Sequence, residues 1–331
     1  MTARFTEPPR RAADVDVCVV GNLTIDVILR GITEMPAWGR EVLCDTRTDV
    51  VAGQAAAMAL ACVRLGLRAQ IIADVGEDDA GERVVRELAA ARVGVESVST
   101  VAGGVTPMTV ALVRPDGERA FLSDLGRLGP LDVSSWPQRW PRAFAASVVA
   151  LVGTSNLPGL DLAEAAAMFQ RVRRDGALTV FDPGWDPGDW SADTVEAIGA
   201  VLAETDLFLP NLDEARALTG TAAIGEVLAS LASICPGVIV VKGGSDGSYV
   251  RVDDRVAVVE AVPATVDNAV GAGDVFDAGM VAGYLRGADV RSSMALATAA
   301  ASLYVSRRVD RFPTYDETAE LAEHVTTAFI E

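Results

Sequence analysis

The chain holds one histidine, His324, and one lysine, Lys242, among 331 residues. A single imidazole leaves no material for a multi-histidine metal site, and a Ser-His-Asp triad or Cys-His pair would have to be built around His324 alone. That residue falls in what reads as an amphipathic C-terminal helix, where a solvated surface histidine is the ordinary outcome. The four cysteines (Cys18, Cys44, Cys62 and Cys235) are scattered with no C-x-x-C pair. This argues against structural zinc and a disulfide framework, and it fits a reducing cytoplasm. No apolar run reaches the roughly 18 residues that suggest a membrane span. Met1 to Ala13 is polar, with Pro8, Pro9, Arg10 and Arg11 and no signal-like stretch. Positive charge is scarce as well: 28 Lys and Arg face 46 Asp and Glu, a net charge of −18. Nucleic acid and anionic membrane surfaces are poor partners for such a chain. What remains is an acidic protein whose chemistry must rest mostly on carboxylates and backbone amides.

Half of the residues are apolar and the mean hydropathy is +0.29, enough for a large core. Short β-rich runs alternate with helical patterns from end to end. This predicts an α/β fold with a mainly parallel central sheet covered by helices on both faces. Strands are expected at residues 15–20, 71–75, 147–152, 178–181, 207–209 and 238–241. Residues 53–65, apolar nearly all round, read as a buried helix and 80–92 as an amphipathic one. The final helices are expected at 272–285, 292–305 and 317–329. Two stretches, about 27–50 and 101–124, are extended, broken by Pro, Gly and Asp, and lack crossover helices. Within the second, residues 109–113 and 119–122, joined through Pro115-Asp116-Gly117, predict a hairpin. The expectation is a flexible tail over 1–13 and one domain over 14–331, carrying a small β-sheet lid made from those two segments.

Val270-Gly271-Ala272-Gly273-Asp274 follows an extended stretch and opens a helix. The glycines permit a tight turn, so the amides of Ala272, Gly273 and Asp274 converge at a helix N-terminus, a ready anion site. Such donors can hold the charge that develops on a migrating phosphoryl group, and Asp274 stands where it could take a hydroxyl proton. Taken alone, the motif reads equally as a Gly-rich loop with a helix-stabilising Asp. Asn211 and Glu214 share one face of a first helical turn. They form a capping box, or else Glu214 holds magnesium-bound water with Asn211 near nucleotide phosphates. In Lys242-Gly243-Gly244-Ser245-Asp246-Gly247 the lysine precedes the glycines, so this is not a P-loop. It is a hairpin turn or, with a nucleotide near, a lining for phosphates or ribose. Asp26, at the mouth of the first strand, suits binding of sugar hydroxyls, or simply forms a turn.

These four sites in this order resemble the ribokinase-like carbohydrate kinases, the phosphofructokinase B group, over residues 15–318. Ala52-Gly53-Gln54-Ala55-Ala56-Ala57-Met58-Ala59, followed by Gly66 and Gly76, resembles the N-terminal signature. Asn268 to Val281, NAVGAGDVFDAGMV, matches the C-terminal one. Asn211 and Glu214 resemble the family's magnesium-associated N-x-x-E, and Ala297 to Ser302 the helix that packs against adenine. The resemblance implies an ATP-dependent kinase that passes the γ-phosphoryl group to a hydroxyl of a sugar or sugar-like molecule, with Mg2+. Asp274 would be the general base and the Gly271, Ala272, Gly273 and Asp274 amides the anion hole. Asp26, Gly53 and Gln54 would contact the acceptor; Asn211, Lys242, Gly244, Gly247 and Thr298 would lie along ATP; Glu214 would serve the metal. Family members are monomers or dimers according to how their lid sheets pair, so a homodimer through the lid is one expectation.

Departures from the family pattern bear on the acceptor. Ala52 stands where the first of two glycines is common, which reduces hinge freedom at the lid. Ala57 replaces an asparagine that hydrogen-bonds the sugar in many relatives, which argues against a plain ribokinase or fructokinase. Asn268, Ala269 and Val270, with Val309 near a usual glycine, speak against the family's monovalent-cation site. Asp182-Pro183-Gly184-Trp185-Asp186 replaces a D-P-N-x-R pattern, losing an amide and a cation and arguing against a phosphorylated sugar. Arg127 is the cation that could meet a sugar acid, or it is a solvated loop arginine. A nucleoside kinase is the alternative within the fold, with Met108 and Trp38 packing on a base, although the same two residues could equally cover a sugar. A non-catalytic sugar-binding or regulatory protein is the alternative outside the reaction. No G-x-G-x-x-G follows the first strand, which leaves a nicotinamide dehydrogenase unsupported.

Overall fold

The apolar run Val17–Val20 is fully buried, as a central strand covered on both faces must be. The computed structural model describes residues 14–116, 118–129, 136, 141–157, 159–252, 255–267, 269–308 and 311–330. Its strands are β1 (Val17–Val20), β2 (Thr24–Arg30), β3 (Thr46–Ala52), β4 (Ala69–Gly76), β5 (Gly94–Val101), β6 (Met108–Val113) and β7 (Arg119–Asp124). They continue with β8 (Val148–Val152), β9 (Leu178–Asp182), β10 (Leu207–Phe208), β11 (Val238–Lys242), β12 (Ser248–Val252), β13 (Arg255–Val259) and β14 (Thr327–Ile330). The longer helices are α1 (Gln54–Arg64), α2 (Asp79–Ala90), α3 (Leu162–Arg174), α4 (Ala192–Leu202) and α5 (Leu212–Thr219). After them come α6 (Ile224–Leu231), α7 (Ala272–Leu285), α8 (Val290–Val305) and α9 (Tyr315–Ala322).

The large sheet has the order β14-β13-β12-β11-β10-β9-β8-β1-β4-β5. Pairing is parallel from β5 to β11 and antiparallel from β11 to β14. Alternate residues of β1 face opposite cores. Val17 and Val19 join the core under α1, α7 and α8, while Cys18 and Val20 join the one holding Phe169, Phe181 and Phe208. Phe181 stacks on Phe208 at 5.7 Å and meets Phe169 edge-on at 6.5 Å. Helices α7 and α8 touch through backbone: a Cβ added to Gly279 would lie 2.5 Å from Ala297 Cα.

A second, four-stranded sheet has the order β3-β2-β6-β7. It grows from the carboxyl end of β1, whose chain runs through Gly21–Leu23 into β2, and it returns at Gly53 into α1. Gly53 has φ 95°, and a Cβ there would lie 2.4 Å from Asn22 O, so the corner admits only glycine. Because β4 and β8 flank β1 on opposite sides, this corner is the switch point at which open α/β sheets bind ligands.

Two expectations need correction. The predicted helix over 317–329 is shorter: α9 ends at Ala322, and Thr327–Ile330 pairs antiparallel with β13. The β-formers Thr327, Phe329 and Ile330 find an open sheet edge, and Arg255 caps the Phe329 ring at 3.9 Å. Residues 248–259, left without a strand by the sequence reading, form β12 and β13, which supply that edge. Asn268, Val309 and Gly117 lie outside the described residues, as does the 1–13 tail. No helix among the described residues is long and apolar enough to cross a membrane.

Candidate active site

Between the two sheets lies a cleft of about 680 Å³, and Asp26, Gly53, Gln54, Gly271 and Asp274 all line it. Asp26 projects from β2, where Thr24 Oγ1 donates to its Oδ1 at 2.7 Å. Burial pushes its carboxyl above the usual range, against the pull of that hydroxyl. Gln54 opens α1: its N–H donates to Asn22 Oδ1 at 3.1 Å, and Asn156 Nδ2 donates to its Oε1 at 3.4 Å. At the far wall, Gly271 takes φ 84° at the N-cap of α7. Tyr304 Oη donates to Val270 O at 3.0 Å and props this turn from beneath.

Asp274, in the first turn of α7, belongs to a buried acidic cluster with Asp182 at the end of β9, Asp277 one turn along α7, and Glu214 on α5. At its centre, Lys242 Nζ donates to Asp182 Oδ2 at 2.8 Å and to Asp277 Oδ1 at 3.0 Å. A Cβ added to Gly273 would lie 3.4 Å from that same Nζ, so the ammonium sits directly under the glycine turn. Burial and the Asp182 charge push the Asp274 carboxyl well above the usual range, and Lys242 opposes them. Burial raises Asp277 too, against Lys242. Burial also works against ionised Asp182, but Lys242, Asp277 and the Gly184 N–H outweigh it and hold that carboxyl low. The cluster therefore favours charge on Asp182, beside Lys242, over charge on Asp274 or Asp277.

Asn211 and Glu214 form the full reciprocal capping box. Glu214 Oε2 accepts from Asn211 N at 2.8 Å, its Oε1 from Asn211 Nδ2 at 2.6 Å, and Asn211 Oδ1 from Glu214 N at 2.9 Å. Burial and the Asp182 charge push Glu214 up to about 7. Such a carboxyl fits magnesium, since a divalent cation beside it would restore the ionised form. Oxygens of Asp182, Asp274 and Asp277 also come within 4.8 Å of one another, but Lys242 already supplies positive charge to two of them.

Other sequence-picked residues fall into three groups. Asn211 bridges Lys242 at the strand ends, and Gly244 (φ 61°) and Gly247 (φ 92°) shape the turn beyond β11. Lys242, expected along ATP, places its ammonium on the Asp182 and Asp277 carboxylates. Thr298 is buried within α8, and neither it nor Arg127, whose backbone pairs with Val105, lines the cleft. Met108 and Trp38 do not line it either. Reading the sequence missed Asp277, although its i+3 spacing from Asp274 puts both on one helix face. It also gave no role to Asp182, Phe121 or Trp185, which only the strand ends and the sheet-to-sheet approach bring into place.

The architecture is the ribokinase fold: the chain superposes on Arabidopsis thaliana ribokinase complexed with ribose and ATP with a TM-score of 0.76 and 22% identity, covering 95% of this chain and 99% of that one. More specifically, the chain belongs to the pfkB family of carbohydrate kinases, whose model matches residues 14–316. It is 31% identical to an ATP-dependent ribose-1-phosphate kinase of Halopiger xanaduensis, over 92% of this chain and 97% of the relative. It is 27% identical to a nucleoside kinase of Methanothermobacter thermautotrophicus, over 88% and 90%. The protein is thus a phosphotransferase with an alcohol group as acceptor.

Proposed function

We propose that this protein transfers the γ-phosphoryl group of ATP to a hydroxyl of a sugar or sugar-like molecule, with Asp274 as general base. The observation that carries the reading is the position of Asp274. It lies at the glycine-opened N-terminus of a buried helix, facing a cleft that Asp26 bounds from the other sheet. Burial and the Asp182 charge make the Asp274 carboxyl a stronger base than an ordinary aspartate. The acceptor would lie between Asp26, Gln54 and Asp274, its hydroxyl proton passing to an Asp274 oxygen as the new O–P bond forms and the bond from the γ-phosphorus to the β–γ bridging oxygen breaks, releasing ADP.

The amides of Ala272, Gly273 and Asp274, at the positive end of α7, would hold the charge that spreads over the transferring group. ATP would approach from the side of Asn211, Gly244 and Gly247. Glu214 would hold magnesium, which when bound neutralises phosphate charge. Lys242 would act from below through Gly273, as a fixed positive charge rather than a direct nucleotide ligand. The small sheet, joined to the core at β1 and at Gly53, would serve as the lid that excludes water.

The test is magnesium-ATP-dependent ADP release across sugars, sugar acids and nucleosides. Asp274→Asn should lower kcat at least about 100-fold and leave ATP binding, read by calorimetry, nearly unchanged. Turnover retained in that variant would remove Asp274 from the role.

A further inference from the structure

Among the described residues lining the cleft there is no lysine, arginine or histidine, whereas three carboxylates, Asp26, Asp124 and Asp274, face it. An acceptor carrying phosphate or carboxylate would enter a field of its own sign and find no counter-charge to replace lost water. Arg127, the cation that the sequence offered for this purpose, lies elsewhere. The described lining of the cleft therefore suits an uncharged molecule.

Its walls are also aromatic in an unusual way. Trp185 lines the cleft while remaining 52% exposed. Its indole is held rather than free: it meets the Trp190 ring edge-on, at 5.9 Å and 76°. Trp190 is buried, and its loop is tied by Asp186, whose carboxylate accepts from Gly188 N at 2.8 Å and from Trp190 N at 3.0 Å. One residue before Trp185, Gly184 abuts Gln54, where an added Cβ would lie 2.8 Å from Oε1. The indole thus stands next to the wall that bounds the acceptor hydroxyls. From the other sheet, half-exposed Phe121 of β7 lines the same cleft. An exposed indole braced at its edge by Trp190, in a cleft that Phe121 also lines, offers a stacking surface, which gains most from a flat ring.

We infer that the acceptor is a nucleoside: an uncharged pentose whose hydroxyls meet Asp26 and Asp274 and whose base stacks on Trp185. The inference rests on the kinase reading above and narrows its acceptor. It assigns Trp185 as a specificity-determining residue, in the place where the family's amide and cation are replaced by Gly184 and Asp186.

The experiment compares adenosine, inosine and cytidine with free ribose, ribose 1-phosphate and a keto-deoxy sugar acid. Each is assayed for ADP release with magnesium-ATP and, separately, for quenching of tryptophan fluorescence without ATP. Nucleosides should exceed the other acceptors at least about tenfold in kcat/KM, and Trp185→Ala should raise KM for nucleosides about tenfold while leaving that for ribose nearly unchanged. Trp185→Phe should restore most of the loss, and the side chain's exposure lets both variants fold. Higher turnover with ribose, ribose 1-phosphate or the sugar acid would overturn the inference and leave the kinase reading standing. So would a Trp185→Ala effect equal for nucleosides and ribose. If no acceptor releases ADP, the kinase reading falls, and the fluorescence decides the remainder. Nucleoside quenching that Trp185→Ala abolishes supports the site, and absence of quenching overturns it.

Discussion

Replacing Lys242 by methionine probes the buried cluster at its centre. The variant keeps an unbranched apolar stem but removes the ammonium that contacts Asp182 and Asp277 at 2.8 and 3.0 Å. Those side chains are 5% and 0% exposed, so neither can turn to water. The cheapest response of the fold is to neutralise another carboxyl by taking up a proton. That costs about 1.36 kcal/mol for each pH unit above the group's ordinary value. Starting from 3.8, the ceiling is about 5.7 kcal/mol at pH 8 and about 2.3 kcal/mol at pH 5.5. The loss at pH 8 should fall at about 3–5 kcal/mol, the range for a buried pair deprived of one partner. Its sign follows from proton binding. The folded variant keeps protons on carboxyls raised above their unfolded values, and the unfolded chain releases them above about pH 4, so the variant's stability falls as pH rises. Urea unfolding of wild type and Lys242→Met at pH 5.5 and pH 8 measures this directly. The deficit should be smaller at pH 5.5 by at least about 1 kcal/mol. An equal deficit at both pH values would refute the picture of a lysine neutralising trapped carboxylates.

Other outcomes follow from the same geometry. Glu214 titrates at about 7, so apparent magnesium affinity should weaken as pH falls from 8 to 6; metal titrations that match at the two pH values would take Glu214 out of the metal site. Arg127→Ala should leave the ranking of acceptors unchanged, because the side chain does not line the cleft; a shift in that ranking would mean that Arg127 reaches the acceptor after all. Gly279→Ala places a methyl 2.5 Å from Ala297 Cα and should destabilise the protein by about 1–3 kcal/mol in thermal or urea unfolding. Wild-type stability in that variant would show that α7 and α8 are less closely locked than their backbone contact implies.

Much of this was legible in the sequence because each signal was local. The buried run at β1, the glycine-opened start of α7 and the Asn211–Glu214 cap are set by residues a few positions apart. Local signal is too short to mark β14. Thr327–Ile330 becomes a strand because β13, some 70 positions earlier, offers an unpaired edge, and a short apolar stretch takes whichever pairing is on hand. Lys242 shows the same limit within the site. Its neighbours in sequence are glycines that suggest a nucleotide loop, whereas its partners in space are Asp182 and Asp277 from another strand and a helix. Trp185 reads as a loop residue until the second sheet closes the cleft above it.

The charge distribution then constrains how the proposed reaction can run. Among the described residues, Lys242 is the one positive side chain within the acidic cluster, set among Asp182, Asp274, Asp277 and Glu214. It is already satisfied by two of them, so it has little charge to spare for a triphosphate. What faces the phosphates above Gly273 is the end of α7, whose partial positive charge is worth about half an elementary charge. Neither source balances a nucleotide, and the acceptor cleft adds no described cation of its own. On the proposed reading, most of the compensating charge must therefore arrive with the nucleotide as magnesium. The raised Glu214 carboxyl is the group left able to respond to it by giving up a proton. Turnover should consequently lose its magnesium requirement less readily than its lysine: a protein with Lys242 replaced but still folded at low pH should keep more activity than the wild type stripped of the metal.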